Sequence, residues 1–301
     1  MTTQTIPTVT LNNESTIPQL GFGTLNVPPG RDPTPENTAK TAEIVGLALE
    51  LGFRHIDTAQ MYGNERGVGD AIAASGIPRE ELWVTSKLGN GNHRPEDVPR
   101  SFDETLEKLQ LDYLDLFLIH WPVPTLYTGD YVSTWRAMTE LREDGRLRSV
   151  GVSNFQPEHL DRIIGATGVP PAVNQIEAHP YFLNDTARAA CRRHDVDVEA
   201  WSPLGQGKLL DDATIGRIAS DHDKTPAQII LSWHIRQGHI VIPKSMRAER
   251  MEENLAIFDF ALSTDEIASI SALDRGEAGR IGPNPDTFDW IPAVGERPVV
   301  S

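Results

Sequence analysis

The stretch LDLFLIH at residues 114–120 shows the pattern that decides the fold: a short, mainly apolar run that ends on a polar residue able to do chemistry. Six more runs end in the same way, on Asp57, Lys87, Ser153 with Asn154, Gln175, Ser202, and Lys244 with Ser245. Such runs, separated by segments of helix length, are typical of parallel strands in βα units. The strands of a closed (β/α)8 barrel all point the same way, so their polar ends meet at the rim that carries the active site. The pattern therefore predicts both an α/β barrel and the position of its site.

The segments between the runs complete this architecture. Helical periodicity covers residues 36–51, 66–75, 95–109, 131–143, 157–165, 185–194, 226–237 and 247–256. Residues 8–11 and 14–17 flank Asn12-Asn13 and predict a β-hairpin on the barrel floor, and residues 20–23 then supply the first of eight barrel strands. Residues 276–301, rich in Gly and Pro, predict a C-terminal tail over the active-site rim. No linker splits the chain, so we predict one domain, 1–301.

Composition limits the classes of partner. The chain of 301 residues has a formal net charge of −16, which disfavours nucleic acid and anionic membranes as partners. The single cysteine, Cys191, excludes an intrachain disulfide, and its helix-like surroundings predict a packed thiol. The first residues lack the pattern of a signal peptide, and no apolar run approaches membrane-spanning length. We therefore predict a cytoplasmic protein without a membrane partner.

Four polar residues near successive strand ends form the strongest candidate site. Asp57 ends the second strand, Tyr62 lies in the loop after it, and Lys87 and His120 end the third and fourth strands. A tyrosine hydroxyl has a free pKa of about 10, which a neighbouring ammonium lowers by stabilising the phenolate. A carboxylate keeps the lysine charged, and a histidine completes a cradle for an oxygen atom. The set suits carbonyl reduction, in which a proton must reach an oxygen that gains charge as hydride arrives.

A basic segment follows the last predicted strand of this acidic chain. Residues 244–250 include Lys244, Ser245, Arg247 and Arg250 at the start of a predicted helix. Helix N-termini favour anions, and barrels often bind phosphate in the loops after strands seven and eight. The segment therefore predicts an anionic ligand, for which a nucleotide 2′-phosphate is the natural candidate.

The same rim offers candidates for the rest of a nucleotide cofactor. They are Ser153, Asn154 and Gln175 for a carboxamide, and Glu253 and Asn254 for an adenine. Trp201 can stack on a flat ring, although ordinary core packing explains a tryptophan there equally well. No Gly-x-Gly-x-x-Gly motif lies between a strand and a helix, so a Rossmann site is not supported.

Three segments together resemble a known family, the aldo-keto reductases. GFRHIDTA at residues 52–59, with YGNE at 62–65, resembles its first signature, and GVSNF at 151–155 resembles its second. IPKS at 242–245, continuing to Arg250, Glu253 and Asn254, resembles the third. AWSPLGQG at 200–207 and GRI at 279–281 are most similar to the bacterial branch that includes 2,5-diketo-D-gluconate reductases.

The resemblance implies an NADPH-dependent reductase of aldehydes and ketones on a TIM barrel, usually a monomer and without a metal. It implies Tyr62 as the proton donor, Lys87 and Asp57 as the groups that tune it, and His120 as the group that orients the carbonyl. The residues implied in binding NADPH or NADP are Gly23, Thr24, Asp57, Ser153, Asn154, Gln175, Trp201, Ser202, Leu204, Lys244, Ser245, Arg247, Arg250, Glu253 and Asn254. In this set, Gly23 and Thr24 approach the nicotinamide, whereas Ser202 and Leu204 line the pyrophosphate.

The segment after Lys87 departs from the family pattern. Many relatives continue with Leu-Trp-Asn, whereas residues 88–92 here read LGNGN, so the aromatic wall at Gly89 is missing. That side of the substrate pocket is predicted to be wider, or filled from elsewhere by Phe22, Trp121, Phe288 or Trp290. We predict that Phe22, His120 and Trp121 bind the substrate, a small carbonyl compound, and its identity stays open.

Two other kinds of function remain compatible with the residues. The barrel can serve as a non-enzymatic NADP(H) sensor or accessory subunit, as in the related potassium-channel β subunits, although the complete set of four polar residues argues against this. Isomerisation or aldol cleavage would instead use Lys87 as a Schiff-base amine. The nearby Asp57 favours a charged lysine and so disfavours that chemistry.

Overall fold

The predicted N-terminal hairpin is present in the computed structural model, which describes residues 6–292. Its antiparallel strands are β1 (Thr8–Thr10) and β2 (Thr16–Pro18). In the turn between them, the Asn12 side-chain amide donates to two carbonyl groups on the barrel floor, both at 2.8 Å. Leu11 and Ile17 are buried in one apolar cluster with residues inside the barrel, among them Trp83, Leu116 and Val173. The hairpin therefore closes the floor, as predicted.

Eight parallel strands form the barrel, paired in chain order. They are β3 Phe22–Gly23, β4 His55–Asp57, β5 Trp83–Leu88, β6 Leu114–Ile119, β7 Leu147–Ser153, β8 Val173–Glu177, β9 Asp197–Trp201 and β10 Ile240–Val241. The first and last strands meet where the Gly21 amide donates to the Val241 carbonyl at 2.8 Å and the Val241 amide donates to the Gln19 carbonyl at 2.9 Å. This closure confirms the predicted (β/α)8 barrel and brings all the strand ends to one rim.

Helices cover the outside of the barrel. They are α1 Pro35–Leu51, α2 Glu65–Ser75, α3 Asp97–Leu109, α4 Tyr131–Glu140, α5 Pro157–Thr167, α6 Asp185–Arg193, α7 Ala213–Asp221, α8 Pro226–Arg236, α9 Ala248–Leu255 and α10 Thr264–Ser271. Local sequence explains their limits: in α1, the Thr34 hydroxyl caps the amide of Asn37, and Gly52 ends the helix with a φ of 114°. Among the described residues, no helix is both long and apolar enough to cross a membrane.

Two of these helices are absent from the sequence-based prediction, and a third is shorter than predicted. Helices α7 and α10, of 9 and 8 residues, are additional to the one helix expected after each strand. Both pack with α8 around a separate apolar cluster that contains Ile215, Trp233 and Ile270. Helix α4 ends at Glu140 rather than at residue 143, because residues 141–144 form turns ahead of Gly145.

The main core lies between the barrel and the helices, and it holds the single cysteine. Phe53, Phe102, Trp135 and Phe155 are among its fully buried side chains. Cys191 is also fully buried, and burial raises the pKa of its thiol to about 11. The prediction of a packed thiol is therefore confirmed.

The described part of the C-terminal tail, which reaches residue 292, crosses the rim. The Phe288 ring packs on Trp121 with ring centres 4.2 Å apart, and the Trp290 carbonyl accepts a hydrogen bond from the Asn90 side chain at 2.9 Å. The Arg31 guanidinium lies over the Trp290 ring, 4.8 Å from its centre. The predicted tail over the rim is thus confirmed as far as residue 292, while residues 293–301 lie outside the described residues. A single domain over 1–301, a monomer and a cytoplasmic location stay predictions.

Candidate active site

A buried ion pair lies at the centre of the rim. The Lys87 ammonium, fully buried, donates to both carboxylate oxygens of Asp57, at 2.6 and 2.7 Å, and to the carbonyl of Thr58 at 2.9 Å. Strands β4 and β5 are hydrogen-bonded neighbours, which explains why their end residues meet. Burial alone would lower the pKa of Lys87, but the charge and hydrogen bonds of Asp57 raise it above its ordinary value. Lys87 is therefore a fixed positive charge rather than a free amine.

Tyr62 and His120 complete the set of four residues. The Tyr62 hydroxyl lies 3.4 Å from the Lys87 ammonium, and the Tyr62 and His120 rings meet edge to face with centres 5.5 Å apart. Tyr62 is in a short 3-10 turn, Gln60–Tyr62, directly after β4. His120 directly follows β6, which pairs with β5. The structure thus brings together all four residues that the sequence singled out.

The protonation states of His120 and Tyr62 indicate which of the two side chains can donate a proton. Burial, followed by the charges of Lys87, Arg31 and His93, holds the pKa of His120 well below its ordinary value, so its imidazole is neutral at physiological pH. Burial raises the pKa of Tyr62 above its ordinary value, and the charge of Lys87 opposes that shift without reversing it. The net lowering of the tyrosine pKa expected from the sequence is therefore wrong here, because burial outweighs the ammonium. Tyr62 keeps its proton at neutral pH, as a proton donor must.

A second layer of polar side chains lies inside the barrel below the ion pair. The amide nitrogen of Gln175 donates to Asp57 at 2.8 Å and to the carboxyl group of Glu199 at 3.0 Å. Glu199 is fully buried, and its other oxygen lies 3.4 Å from Nε2 of His55. Burial, together with the nearby charge of Asp57, raises the pKa of Glu199 to about 8. Burial lowers the pKa of His55 to about 3.

The predicted carboxamide-binding residues are linked to the catalytic candidates by hydrogen bonds. Asn154 donates from its side-chain amide to the His120 carbonyl at 3.0 Å and accepts from the Trp201 indole at 2.8 Å. The Ser153 hydroxyl donates to the Gln175 carbonyl at 2.8 Å. Trp201 is half-buried, so part of its ring stays open for stacking. These bonds hold the backbone at His120 and the indole of Trp201 in place.

The first barrel strand gives a packing reason for one predicted cofactor residue. A Cβ at Gly23 would lie 2.9 Å from the Ile242 carbonyl, so the approach of β3 to β10 itself requires glycine. The hydroxyl of Thr24, fully buried, donates to the Asp57 carbonyl at 2.9 Å. Thr24 therefore supports the strand end that carries Asp57.

The basic segment leads into α9, as predicted. Ser245, 7% exposed, accepts a hydrogen bond from the Arg247 amide at 3.1 Å and so shapes the turn before the helix. Lys244, Arg247 and Arg250 are exposed, and none of them has an ion-pair partner among residues 6–292. Three unpaired cations at a helix start suit a phosphate. The other predicted cofactor residues are less uniform: Asn254 is buried, whereas Ser202, Leu204 and Glu253 are half-buried.

The predicted substrate residues divide into two groups. Trp121 lies on the rim next to His120, under Phe288 of the tail. Phe22, in contrast, points outward from β3 into the main core, where it is 1% exposed and packs on Phe53 with ring centres 5.5 Å apart. Its position is that of a core residue, because alternation along β3 turns Gly23 inward and Phe22 outward. The tail instead meets the segment after Lys87 through the Trp290 carbonyl on Asn90, and its Phe288 ring lies on Trp121.

Two charged residues near the site were missed in the sequence. Glu199 could have been identified, because alternation along β9 puts it on the inward face with Trp201, where a buried carboxyl group is unusual. No pattern in the sequence pointed to Arg31, since it lies in a loop rich in Pro and Gly. Its carbonyl packs so closely on Gly63, next to Tyr62, that a Cβ there would lie 2.1 Å away. Its positive charge favours the neutral form of His120 and the phenolate of Tyr62.

Comparisons with known proteins agree with this geometry. A profile of the Aldo/keto reductase family matches residues 19–275. An aldo-keto reductase of Mycolicibacterium smegmatis is 46% identical over 284 residues, which cover 94% of this chain and 98% of that protein. Glyoxal reductase of Bacillus subtilis is 44% identical over 286 residues, 95% of this chain and 99% of that protein. The crystal structure of a Gox0644 variant in complex with NADPH has a TM-score of 0.86 at 41% identity and covers 95% of this chain and 100% of that one. This chain belongs to the aldo/keto reductase family, as its three signatures predicted.

Proposed function

We propose that this protein is an NADPH-dependent reductase of small aldehydes and ketones, with Tyr62 as the proton donor. The observation that carries the proposal is the contact of one buried ammonium, that of Lys87, with both the Asp57 carboxylate and the Tyr62 hydroxyl. The positive charge of Lys87 stabilises the phenolate that forms when Tyr62 gives up its proton. NADPH, when bound, supplies the hydride that the carbonyl carbon accepts.

Proton transfer follows from the protonation states of the site. As the carbonyl carbon gains hydride, its oxygen gains negative charge and takes the proton from Tyr62. The phenolate that remains is stabilised by Lys87, whose own charge is held by Asp57. His120 is neutral and hydrogen-bonds the carbonyl oxygen, which orients the substrate without competing as the acid. The products are an alcohol and a tyrosinate, which solvent reprotonates.

The residues present also fit the proposed cofactor. The exposed and unpaired Lys244, Arg247 and Arg250 offer the charge that a 2′-phosphate needs, which favours NADPH over NADH. Ser153, Asn154 and Gln175 lie together near the strand ends for the nicotinamide carboxamide, and the open part of the Trp201 ring suits stacking. The remaining cofactor residues are carried over from the family resemblance.

We infer a small substrate with more than one oxygen. Phe288 packs on Trp121 next to His120, and the segment after Lys87 has Gly89 where many relatives have a tryptophan. Relatives named glyoxal reductase and methylglyoxal reductase act on small compounds of this kind. We therefore place α-dicarbonyls first among the substrates to test, followed by keto-sugars and aromatic aldehydes.

The test is NADPH oxidation across this panel, repeated with NADH, followed by identification of the alcohol product. We expect turnover with at least one α-dicarbonyl and a lower Michaelis constant for NADPH than for NADH. Tight NADPH binding without turnover on any member of the panel would instead favour the sensor or accessory role. Borohydride trapping of a substrate on Lys87 would favour Schiff-base chemistry.

A further inference from the structure

A second buried carboxyl group lies behind the Asp57–Lys87 pair and has no part in the mechanism above. Glu199, in the middle of β9, is fully buried and shares the Gln175 amide with Asp57, at 3.0 and 2.8 Å. Carboxylate oxygens accept hydrogen bonds, so both must face the amide nitrogen of Gln175. Glu199 and Asp57 together therefore fix which way that amide is turned, with its oxygen on the opposite side.

The surroundings of Glu199 contain little positive charge. The groups that face it are His55 and Asp57 on β4, Lys87 on β5, Gln175 on β8 and the apolar Ile240 on β10. His55 is neutral, because burial lowers its pKa to about 3. Lys87 already gives two hydrogen bonds to Asp57. If both carboxyl groups were ionised, a single ammonium would have to balance two buried negative charges, which is strongly unfavourable.

We propose that Glu199 is a positioning residue that stays protonated at neutral pH and holds Gln175, and through it Asp57 and Lys87, in the orientation that the reaction needs. In the protonated form, the oxygen near Gln175 accepts its hydrogen bond, and the other oxygen carries the proton and faces Nε2 of His55 at 3.4 Å. The effect on the reaction rests on the proposed reductase function, whereas the protonation itself does not.

Loss of the Glu199 proton should slow the reaction. Burial and the charge of Asp57 raise the pKa of Glu199 to about 8, so the group loses its proton in mildly alkaline solution. The new negative charge next to Lys87 weakens the stabilisation of the Tyr62 phenolate. Carbonyl reduction should therefore slow above about pH 8 through an ionisation that belongs to Glu199.

Two substitutions of Glu199 distinguish the effect of its ionisation from the effect of losing its hydrogen bonds. Glu199→Gln keeps an acceptor for Gln175 and a donor for His55 and cannot ionise, so kcat/KM at pH 7 should stay within about threefold of wild type. The fall above pH 8 should be absent in this variant. Glu199→Leu removes the acceptor and should lower kcat/KM by about 10- to 100-fold at every pH. The matched control is Asp197→Asn, which changes a half-buried carboxyl group at the start of the same strand and should leave the alkaline fall in place.

A stability measurement tests the protonation even if the protein proves not to be a reductase. An unfolded glutamate has a pKa of about 4.3, so between about pH 5 and 8 the folded protein binds a proton that the unfolded chain has released. The unfolding equilibrium constant of wild type should therefore rise relative to that of Glu199→Gln by up to tenfold per pH unit in this range.

The possible results are distinct. Parallel stability curves for wild type and Glu199→Gln would overturn the protonated state. Equal damage to kcat/KM by Gln and by Leu, or an alkaline fall that persists in Glu199→Gln, would overturn the positioning role. A wild-type protein without turnover would instead refute the reductase proposal. If Glu199→Leu fails to fold, Glu199→Gln and its pH profile still decide.

Discussion

Replacing Lys87 with methionine should destabilise the fold and not only stop the reaction. Lys87 is fully buried, and its ammonium makes hydrogen bonds of 2.6 and 2.7 Å to Asp57 and of 2.9 Å to the Thr58 carbonyl. Methionine has a similar length and leaves little cavity, so the loss comes from the uncompensated carboxylate. Removal of one partner of a buried ion pair costs about 3–5 kcal/mol. We expect a loss of this size in the free energy of unfolding, measured by urea denaturation at pH 8.

The pH dependence and a second variant make this prediction specific. Without Lys87, the folded-state pKa of Asp57 rises further above its unfolded value, so the folded protein takes up a proton and the destabilisation should be smaller at pH 5 than at pH 8. Adding Asp57→Asn removes the buried charge and should recover part of the lost stability. A Lys87→Met protein as stable as wild type, or a double variant no more stable than the single one, would refute this view of the pair.

Three further predictions concern the cofactor site, the histidine and the tail. Arg250→Ala should weaken NADPH binding by about 10- to 100-fold and leave NADH binding nearly unchanged in fluorescence titrations, because it removes a charge-assisted contact to the 2′-phosphate; equal losses would contradict the phosphate site. The kcat/KM for reduction should show no ionisation near pH 6.5, because burial holds the pKa of His120 well below that value; an inflection there that disappears in His120→Asn would contradict the neutral imidazole. Gly282→Ala should shift the tryptophan fluorescence and raise the KM for NADPH, because its Cβ would lie 2.5 Å from Cη2 of Trp201, the ring proposed to stack on the nicotinamide, and 3.0 Å from the Glu177 carboxylate. Unchanged fluorescence and KM would show that the tail does not pack on this ring.

The sequence allowed the barrel and the four central side chains to be predicted because both depend on a repeated local pattern. Asp57 ends a buried strand, Lys87 is the next-to-last residue of another and His120 directly follows a third, and parallel strands of a closed barrel bring such ends together. Helices α7 and α10 were missed because both are additional to the one helix that the alternation requires after each strand: α7 precedes α8 in one connection, and α10 follows α9. Their capping residues were nevertheless visible, for example Ser263 with Glu266 three residues later.

The pKa values of buried groups and the directions in which side chains point could not be predicted from the sequence in the same way. The Tyr62 pKa was predicted from its neighbour Lys87, whereas burial has the larger effect and acts in the opposite direction. Phe22 was expected near the substrate, but β3 has only two residues, too few for an alternation that shows which side faces inward. The role of Gln175 between Asp57 and Glu199 depends on three strands, and no single segment of sequence contains it.

The most direct test of the central claim compares Tyr62→Phe with Tyr113→Phe, a matched control on the barrel floor whose ring packs under Arg79 and Arg148. NADPH affinity is measured by fluorescence titration, and the hydride step is measured in a single turnover with an α-dicarbonyl. We expect Tyr62→Phe to bind NADPH within about twofold of wild type and to lose about 10²- to 10⁴-fold in the rate of reduction, because only the proton donor is removed. Tyr113→Phe should match wild type in both. A Tyr62→Phe protein that reduces its substrate as fast as the Tyr113→Phe control would contradict the assignment of Tyr62 as the proton donor.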